Sequence, residues 1–227
     1  MRINKYIASC GICSRRKAEE YIVQGRVWVN GKKITDLSVQ INEISDEVCL
    51  DHKQIVLEEK KIYLMLNKPR GYITTNKEQF SRKSIVDLID ETIRVFPIGR
   101  LDMDTEGLLL LTNDGEFANQ MMHPKNKVKK KYIVQVDKNV TPMQIEKLKK
   151  GVDIGGYITK PAIVDKIGEN KVEITISEGK NRQVRRMCSA VSLNVISLKR
   201  IQIGNLSLGN LPIGKYRYLS EKEIKNI

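Results

Sequence analysis

The chain has 227 residues, enough for two domains or one large domain with a buried core. Its 40 Lys and Arg against 27 Asp and Glu give a net charge of +13, which favours a polyanionic partner. Residues 1–60 contribute ten basic and nine acidic side chains and residues 61–227 contribute 30 and 18, so the second part carries most of the positive charge. No apolar run approaches the length of a transmembrane helix or a signal-peptide core, and we therefore expect a cytoplasmic protein without a membrane partner.

The N-terminal segment predicts two short helices and a hairpin. Ile3, Tyr6 and Ile7 fit one helical face, and Ser14 is placed to cap a second helix. Asn30-Gly31 follows an apolar triplet and is a strong hairpin turn signal. Four cysteines include one Cys-x-x-Cys pair but no second pair or adjacent histidine, so we interpret them as packing residues rather than a metal site: Cys10, Cys13, Cys49 and Cys188.

The start of the second helix has an unfavourable charge pattern. Arg15, Arg16 and Lys17 fall in its first turn, where the helix dipole favours anions. A bound phosphate would explain the pattern, because free amides and basic side chains together form an anion site. A solvated charged face is the alternative.

These residues resemble an S4 RNA-binding domain over about the first quarter of the chain. The matching pieces are Ile3 to Ile7, Gly11 to Arg16, Ala18-Glu19, Ile22, Gly25 to Val27 and Val29 to Gly31. The resemblance implies that the two helices face structured RNA, whose backbone and shape carry such recognition. It also implies that phosphates contact Lys5, Ser14, Arg15, Arg16 and Lys17. The charged end of residues 51–61 predicts a linker, hence domains at 1–60 and 61–227.

The second part begins with a predicted strand at Ile62 to Leu66, followed by a Pro-Gly turn at Asn67 to Gly71. Further on, Leu108 to Leu111 predicts a short buried strand and Asn113 to Gly115 a turn. Asp102 then lies in a loop just before the most hydrophobic strand, a good position for a catalytic carboxylate. Asp102-x-Asp104 also fits a metal-binding pair, which we consider less favoured because no further ligand lies nearby.

The remaining elements include strands, a capped helix and an arginine-rich helix. Lys131 to Val136 and Val172 to Ile176 predict strands, the first after a run of lysines, and Thr141-Pro142 predicts a helix start. Val184, Met187, Cys188 and Val191 recur at helical spacing, which places three arginines on the opposite face: Arg182, Arg185 and Arg186. One of these guanidinium groups could pair with the loop carboxylate.

Together these segments resemble the RsuA family of pseudouridine synthases over essentially the whole chain. The matching pieces are Asn67 to Gly71, Gly99 to Asp102, Thr105 to Gly115, Lys131-Tyr132 and Gly179 to Met187. Within the family the pattern resembles the large-subunit rRNA enzymes, the F type first and the B type as the near alternative. The resemblance implies an α+β fold, in which an S4 domain precedes a catalytic domain with a mixed, largely antiparallel sheet flanked by helices.

The resemblance also implies the chemistry and the site. Asp102 is the expected essential carboxylate, acting as nucleophile at the sugar or as base at its 2′ position. Arg185 is the expected partner that keeps Asp102 ionised, Tyr132 would stack on the flipped uracil and help remove the C5 proton, and Arg100 would enter the RNA where the base departed. Further RNA contacts are expected from Lys68, Arg70, Lys129, Lys130, Arg182 and Arg186. No cofactor or metal is expected.

The predicted function is therefore site-specific isomerisation of uridine in large-subunit rRNA by a monomer, with a tRNA as a second candidate substrate. A non-catalytic RNA-binding assembly factor would explain the positive charge equally well. It would not explain an acidic loop in a basic protein, since a carboxylate near phosphates weakens simple binding. A glycosidase for free nucleosides is a third class, which would not need the S4 segment.

Overall fold

A computed structural model describes residues 1–75 and 82–227, which form two compact units. The first unit contains residues 1–62, 91–95 and 113–115, and the second contains the other described residues. The predicted boundary after residue 60 stays a prediction, because two short segments from later in the chain cluster with the first unit. Among the described residues no helix is long and apolar enough to cross a membrane.

The first unit packs two helices on a small sheet. Its elements are α1 Ile3–Ser9, α2 Arg15–Val23, β1 Val27–Val29, β2 Lys32–Ile34, β3 Val48–Leu50 and β4 Lys53–Gln54, with the strands in the antiparallel order β2-β1-β3-β4. Ile3, Ile7 and Ile22 are fully buried between the helices and the sheet. The Lys17 amide donates to Ser14 Oγ at 3.2 Å, so the predicted cap of α2 is confirmed.

Within the described residues, the second unit contains a nine-stranded sheet and four helices. Its strands are β5 Tyr63–Lys68, β6 Phe96–Ile98, β7 Glu106–Thr112, β8 Lys130–Val136, β9 Ile163–Gly168, β10 Lys171–Ile176, β11 Val195–Ile203, β12 Leu206–Ser207 and β13 Tyr216–Tyr218. Its helices are α3 Gly115–Met122, α4 Pro142–Lys150, α5 Gln183–Ala190 and α6 Glu221–Asn226, with short 3₁₀ turns at Ile85–Leu88 and Pro124–Asn126. The capping box at Thr141 and Gln144 begins α4 as predicted.

The sheet is mixed and mostly antiparallel, in the order β13-β5-β7-β11-β8-β10-β9, with β6 beside β7 and β12 beside β11. Among the named strands of the described residues, the one parallel pair joins β7 to β11, where Glu106 lies opposite Lys199 and Gly107 opposite Arg200. Leu108 to Leu111 are buried in β7, so the predicted leucine strand is confirmed and lies near the centre of the sheet. The α+β class is confirmed.

The β7–β11 pair requires glycine at position 107. Gly107 has a φ of +107°, and a Cβ there would overlap the backbone carbonyl oxygen of Arg200. The two backbones therefore approach more closely than any side chain permits. This close approach fixes the start of β7, and with it the loop that carries Asp102.

Candidate active site

A cleft of about 590 Å³ opens over one face of the second unit's sheet. Its floor includes Tyr132 from β8 and Arg200 from β11, which lie directly opposite each other in the antiparallel register. Its wall includes Asp102, from the loop before β7. Seven cationic side chains and two carboxylates line the cleft among the described residues, so the cleft concentrates the positive charge of this unit. The volume is adequate for a nucleotide-sized ligand.

The loop that carries Asp102 is held by hydrogen bonds that its backbone carbonyl groups accept. Thr74 Oγ1 donates to the Leu101 carbonyl at 2.7 Å, and the Gly71 amide donates to the Met103 carbonyl at 2.8 Å. The Asp102 carbonyl accepts from the Thr105 amide at 3.1 Å. Since every carbonyl from residue 101 to residue 105 accepts at least one hydrogen bond, the backbone presents the Asp102 side chain in a fixed position.

Lys68 is the anchor of that loop. Its ammonium, with no exposed area, donates to the carbonyls of Asp102 at 3.0 Å, Thr105 at 2.9 Å and Pro69 at 3.1 Å. Burial lowers the pKa of Lys68 to about 8, although the carboxylates of Asp102 and Asp104 act in the opposite direction. A fully buried ammonium is inaccessible to phosphates, so the prediction that Lys68 contacts RNA is wrong. The lysine holds the Asp102 loop instead.

Asp104 binds two of the arginines. Arg182 donates to its carboxylate through both terminal nitrogens, at 3.1 and 2.9 Å, and Nε of Arg185 lies 3.2 Å from Asp104 Oδ2. Nη2 of Arg185 also donates to the Asp104 carbonyl at 2.8 Å. Burial alone would raise the pKa of Asp104, but the hydrogen bonds from Arg182 and the charges of both arginines outweigh it and lower the pKa.

This arrangement corrects the predicted partner of Asp102. Arg185 forms its ion pair with Asp104, and the guanidinium within ion-pair distance of Asp102 in the described part of the chain belongs to Arg182, at 3.8 Å. The Asp102 side chain remains 31% exposed. The Asp102 side chain lines the cleft, and one of its oxygens lies near Arg182. The close bidentate hydrogen bonds of Arg182 go to Asp104 instead.

The predicted face of three arginines also needs correction. Arg182 is not part of α5 but precedes it, in a left-handed conformation with φ 48° and ψ 33°. The Arg182 side chain lines the cleft, because the backbone turns at this residue before α5 begins. Arg185, within α5, is mostly buried, with 12% of its side chain exposed. Val184, Met187 and Cys188 are buried as the helical spacing predicts.

The other predicted residues fall into two groups. Tyr132, Lys130 and Arg100 line the cleft beside Asp102. Lys129 and Arg70 are exposed outside its lining, and Arg70 donates to the carbonyls of Asp104 and Ile196. Arg186 is half-buried outside the lining as well. In the first unit the residues predicted to bind phosphates lie on α1 and around the start of α2: Lys5, Ser14, Arg15, Arg16 and Lys17.

Several residues of the site were missed by the sequence interpretation. Asp104 was considered only as a metal ligand, although the Asp-x-Asp spacing beside an arginine-rich segment could have suggested an ion pair. Glu178 organises the cleft rim, since it accepts from the Tyr157 hydroxyl at 2.7 Å and from Gln183 Nε2 at 2.6 Å. Arg200 carries no local signal, because its position depends on the pairing of strands distant in sequence.

Comparison with known proteins identifies the family. The family model for RNA pseudouridylate synthase matches residues 62–190, and the S4 domain model matches residues 1–48. The chain is 42% identical to ribosomal large subunit pseudouridine synthase B of Bacillus subtilis, over 100% of this chain and 95% of the relative. It is 41% identical to the dual-specificity RNA pseudouridine synthase RluF of Escherichia coli K12, over 99% of this chain and 77% of the relative.

A solved structure extends the comparison to the fold. A crystal structure of a pseudouridylate synthase superposes with a TM-score of 0.74 at 33% identity, covering 100% of this chain and 99% of that chain. The B and F relatives are about equally similar, so identity does not separate the two types. With both domain models matched in order and two relatives covered along most of their length, the chain belongs to the RNA pseudouridylate synthase family and carries an N-terminal S4 domain.

Proposed function

We propose that this protein isomerises one or a few uridines of large-subunit ribosomal RNA to pseudouridine, with Asp102 as the essential carboxylate. The observation that carries the proposal is the Asp102 side chain, which is held by an anchored backbone loop at the wall of a basic cleft of nucleotide size. The name of the B relative, a ribosomal large subunit pseudouridine synthase, supports ribosomal RNA as the substrate. Action on this RNA would place the protein in the cytoplasm.

The reaction requires the target base to leave its stack before any atom of the glycosidic bond can be reached. In the proposed mechanism the flipped uracil stacks on Tyr132, which helps to remove the C5 proton, and Arg100 enters the space that the base leaves. Asp102 attacks C1′ of the sugar or removes its 2′ proton while the bond from N1 to C1′ breaks. The freed ring turns and bonds to C1′ through C5.

The arginines then have different roles from those that the sequence suggested. Arg182 lies 3.8 Å from an Asp102 carboxylate oxygen, and it is restrained by the bidentate contact with Asp104. Arg185 contacts both the carbonyl and the carboxylate of Asp104, and we propose that it is a positioning residue for the Asp102 loop. Asp104 thereby keeps both cations from closing over the catalytic carboxylate.

RNA binding outside the cleft would come from exposed basic residues. Arg15, Arg16 and Lys17 occupy the first turn of α2 beside a capping serine, as phosphate contacts require. Lys17 is paired with Glu20 at 2.7 Å in the free protein, so its contact with RNA would require exchange of that partner. One relative is named a dual-specificity RNA pseudouridine synthase, so a second RNA substrate is also to be tested, and we choose a transfer RNA.

The test is incubation of the purified protein with unmodified large-subunit rRNA, followed by mapping of pseudouridine through carbodiimide-dependent stops of reverse transcription. A discrete new stop made by the wild type and absent with Asp102→Asn is expected. Asp165→Asn, which changes an exposed carboxylate of β9, is the matched control and should retain the stop. No stop on rRNA, ribosomal particles or tRNA would contradict the proposal and favour a non-catalytic assembly factor.

A further inference from the structure

One buried cation in the cleft has a free hydrogen-bond donor. Arg200 is 5% exposed, and its Nε donates to the Leu108 carbonyl at 2.7 Å. Its Nη2 is buried and has no hydrogen-bond partner in the described part of the chain. Leaving a charged donor unpaired in a protein interior is costly, so such a group indicates a partner that arrives with the ligand.

The position of Arg200 restricts what that partner is. Arg200 lies directly opposite Tyr132 on the adjacent antiparallel strand, so the two side chains share one face of the sheet at the floor of the cleft. Tyr132 is the residue on which the proposed function stacks the flipped uracil. A donor beside a stacking ring lies near the edge of the stacked base, where the carbonyl oxygens O2 and O4 project.

A phosphate fits this position less well than the base does. Exposed cations of the cleft lining, such as Arg100, Arg182 and Lys180, are available to phosphates of the RNA backbone, whereas Arg200 is buried. Within the described residues no carboxylate lies at ion-pair distance from Arg200, so its positive charge is available to the ligand. The pKa of Lys130, which also lines the cleft, is lowered mainly by burial and to a smaller extent by the positive charge of Arg200.

We propose that Nη2 of Arg200 donates a hydrogen bond to a ring carbonyl oxygen of the flipped uracil and stabilises the negative charge that the ring acquires when the glycosidic bond breaks. This inference rests on the proposed function, which it extends by one further catalytic residue. The electron pair of the N1–C1′ bond stays with the uracil and is delocalised onto O2 and O4. Carbon C1′ meanwhile bonds to Asp102 or forms a double bond to C2′ after the carboxylate takes the 2′ proton.

When C5 bonds to C1′, Asp102 leaves C1′ or, in the alternative route, returns the proton to C2′, so the carboxylate regains its original form. The C5 proton is then removed and N1 takes up a proton, which leaves the ring neutral. A preorganised donor aimed at developing charge has its largest effect in the transition state. Loss of Arg200 should therefore slow bond cleavage by on the order of 10²-fold, the usual effect of removing one such donor, while RNA affinity changes little.

The test is a double-mutant cycle between the protein and the base. The substrate is a short RNA containing the mapped target as uridine, 2-thiouridine or 4-thiouridine, because sulfur is a weaker acceptor than oxygen. Single-turnover rates for wild type and Arg200→Met are measured by nucleoside chromatography after digestion. The wild type should be slowed by one of the two thio substitutions, and Arg200→Met should show no additional slowing with that same substrate.

Lys199→Met is the matched control, since it removes a cation from the same strand outside the cleft lining and should keep the wild-type response to sulfur. If Arg200→Met fails to fold, Arg200→Lys takes its place, and it should lose the sulfur response while retaining part of the rate. An equal response to both thio substrates in wild type and variant would overturn the inference. A response only to phosphorothioate next to the target would overturn it in favour of a phosphate contact.

The two hypotheses fail in different ways. Absence of pseudouridine from the uridine substrate with wild-type protein would overturn the proposed function and the role of Arg200 with it. Conversion by the wild type without coupling between Arg200 and the ring oxygens would leave the proposed function intact and overturn only this inference.

Discussion

Replacing Asp104 by asparagine keeps the size of the side chain and removes its charge. In the wild type this carboxylate accepts two hydrogen bonds from Arg182 and lies 3.2 Å from Nε of Arg185. The pair with Arg182 is largely exposed and should contribute about 1 kcal/mol or less. Arg185 is only 12% exposed, and loss of its carboxylate should cost about 1 to 3 kcal/mol.

Asp104→Asn should therefore destabilise the protein by about 2 to 3 kcal/mol, since the remaining amide oxygen still accepts one hydrogen bond. For a chain of this size that loss lowers Tm by roughly 4 to 12 °C. Differential scanning calorimetry at neutral pH measures it directly. Asp165→Asn removes one exposed charge elsewhere in the same unit, and its Tm should stay close to that of the wild type.

The activity of the same variant separates the two neighbouring carboxylates. Once Asp104 is neutral, the nearest carboxylate for Arg182 is Asp102, already 3.8 Å away. A close ion pair there would make Asp102 a weaker nucleophile and base, so kcat should fall by roughly 10- to 100-fold with KM little changed. Single-turnover isomerisation of rRNA measures this. Wild-type rate and Tm would refute the restraining role of Asp104, and complete inactivity would show that Asp104 itself is essential.

Three further perturbations have outcomes that the structure determines. Gly107→Ala should unfold or strongly destabilise the second unit, by more than about 3 kcal/mol, because its Cβ would overlap the Arg200 carbonyl, and chemical denaturation measures this. The free energy of unfolding of the wild type should gain a contribution from Lys68 as pH rises from about 8 towards 10.5, and Lys68→Met should lack this gain. Thermal unfolding across that pH range measures the difference. Arg15→Ala with Arg16→Ala should weaken RNA binding and reduce the slope of log affinity against log salt by up to about 2, measured by filter binding.

The sign of the Lys68 effect follows from its lowered pKa. Between about pH 8 and 10.5 the unfolded chain holds a proton on this lysine that the folded protein has lost, so folding becomes more favourable as pH rises. The full difference is about 3 kcal/mol, and below pH 8 the burial cost is present in full. A constant difference in Tm between wild type and Lys68→Met from pH 7 to 10 would contradict the assignment.

Controls for the other two perturbations come from the same chain. Gly115→Ala lies at the start of α3, where no atom would contact the added Cβ, and it should leave stability nearly unchanged. Lys222→Ala with Lys225→Ala removes two charges from α6 and should leave the salt dependence unchanged if α2 is the phosphate-binding helix. Equal losses of affinity in both double variants would indicate binding by net charge alone.

The elements that sequence predicted well are those with a local cause. Four consecutive leucines favour burial, which indicated β7 as a buried strand. Ser14 and Thr141 cap α2 and α4 by accepting hydrogen bonds from amides three residues further along the chain. The location of Asp102 in a loop before β7 follows from the same leucines. These signals lie within a few residues of the structure that they determine.

The errors came from interactions between distant segments. Arg185 was given the wrong partner because the turn of the loop decides which of the two aspartates, Asp102 or Asp104, meets an arginine about 80 residues further along the chain. Lys68 was expected to contact RNA, whereas its ammonium donates to the carbonyls of three residues, Pro69, Asp102 and Thr105. Arg200 reaches the cleft through strand pairing that no local pattern encodes.

Release of tritium from C5 of uridine is the most direct test of the central claim that Asp102 drives isomerisation on RNA. Large-subunit rRNA labelled at C5 is incubated with wild-type protein, with Asp102→Asn and with the Asp165→Asn control, and tritium in water is counted. Wild type and control should release one tritium for each pseudouridine formed, and Asp102→Asn should release none while still binding the RNA. Equal release by wild type and Asp102→Asn would contradict the mechanism.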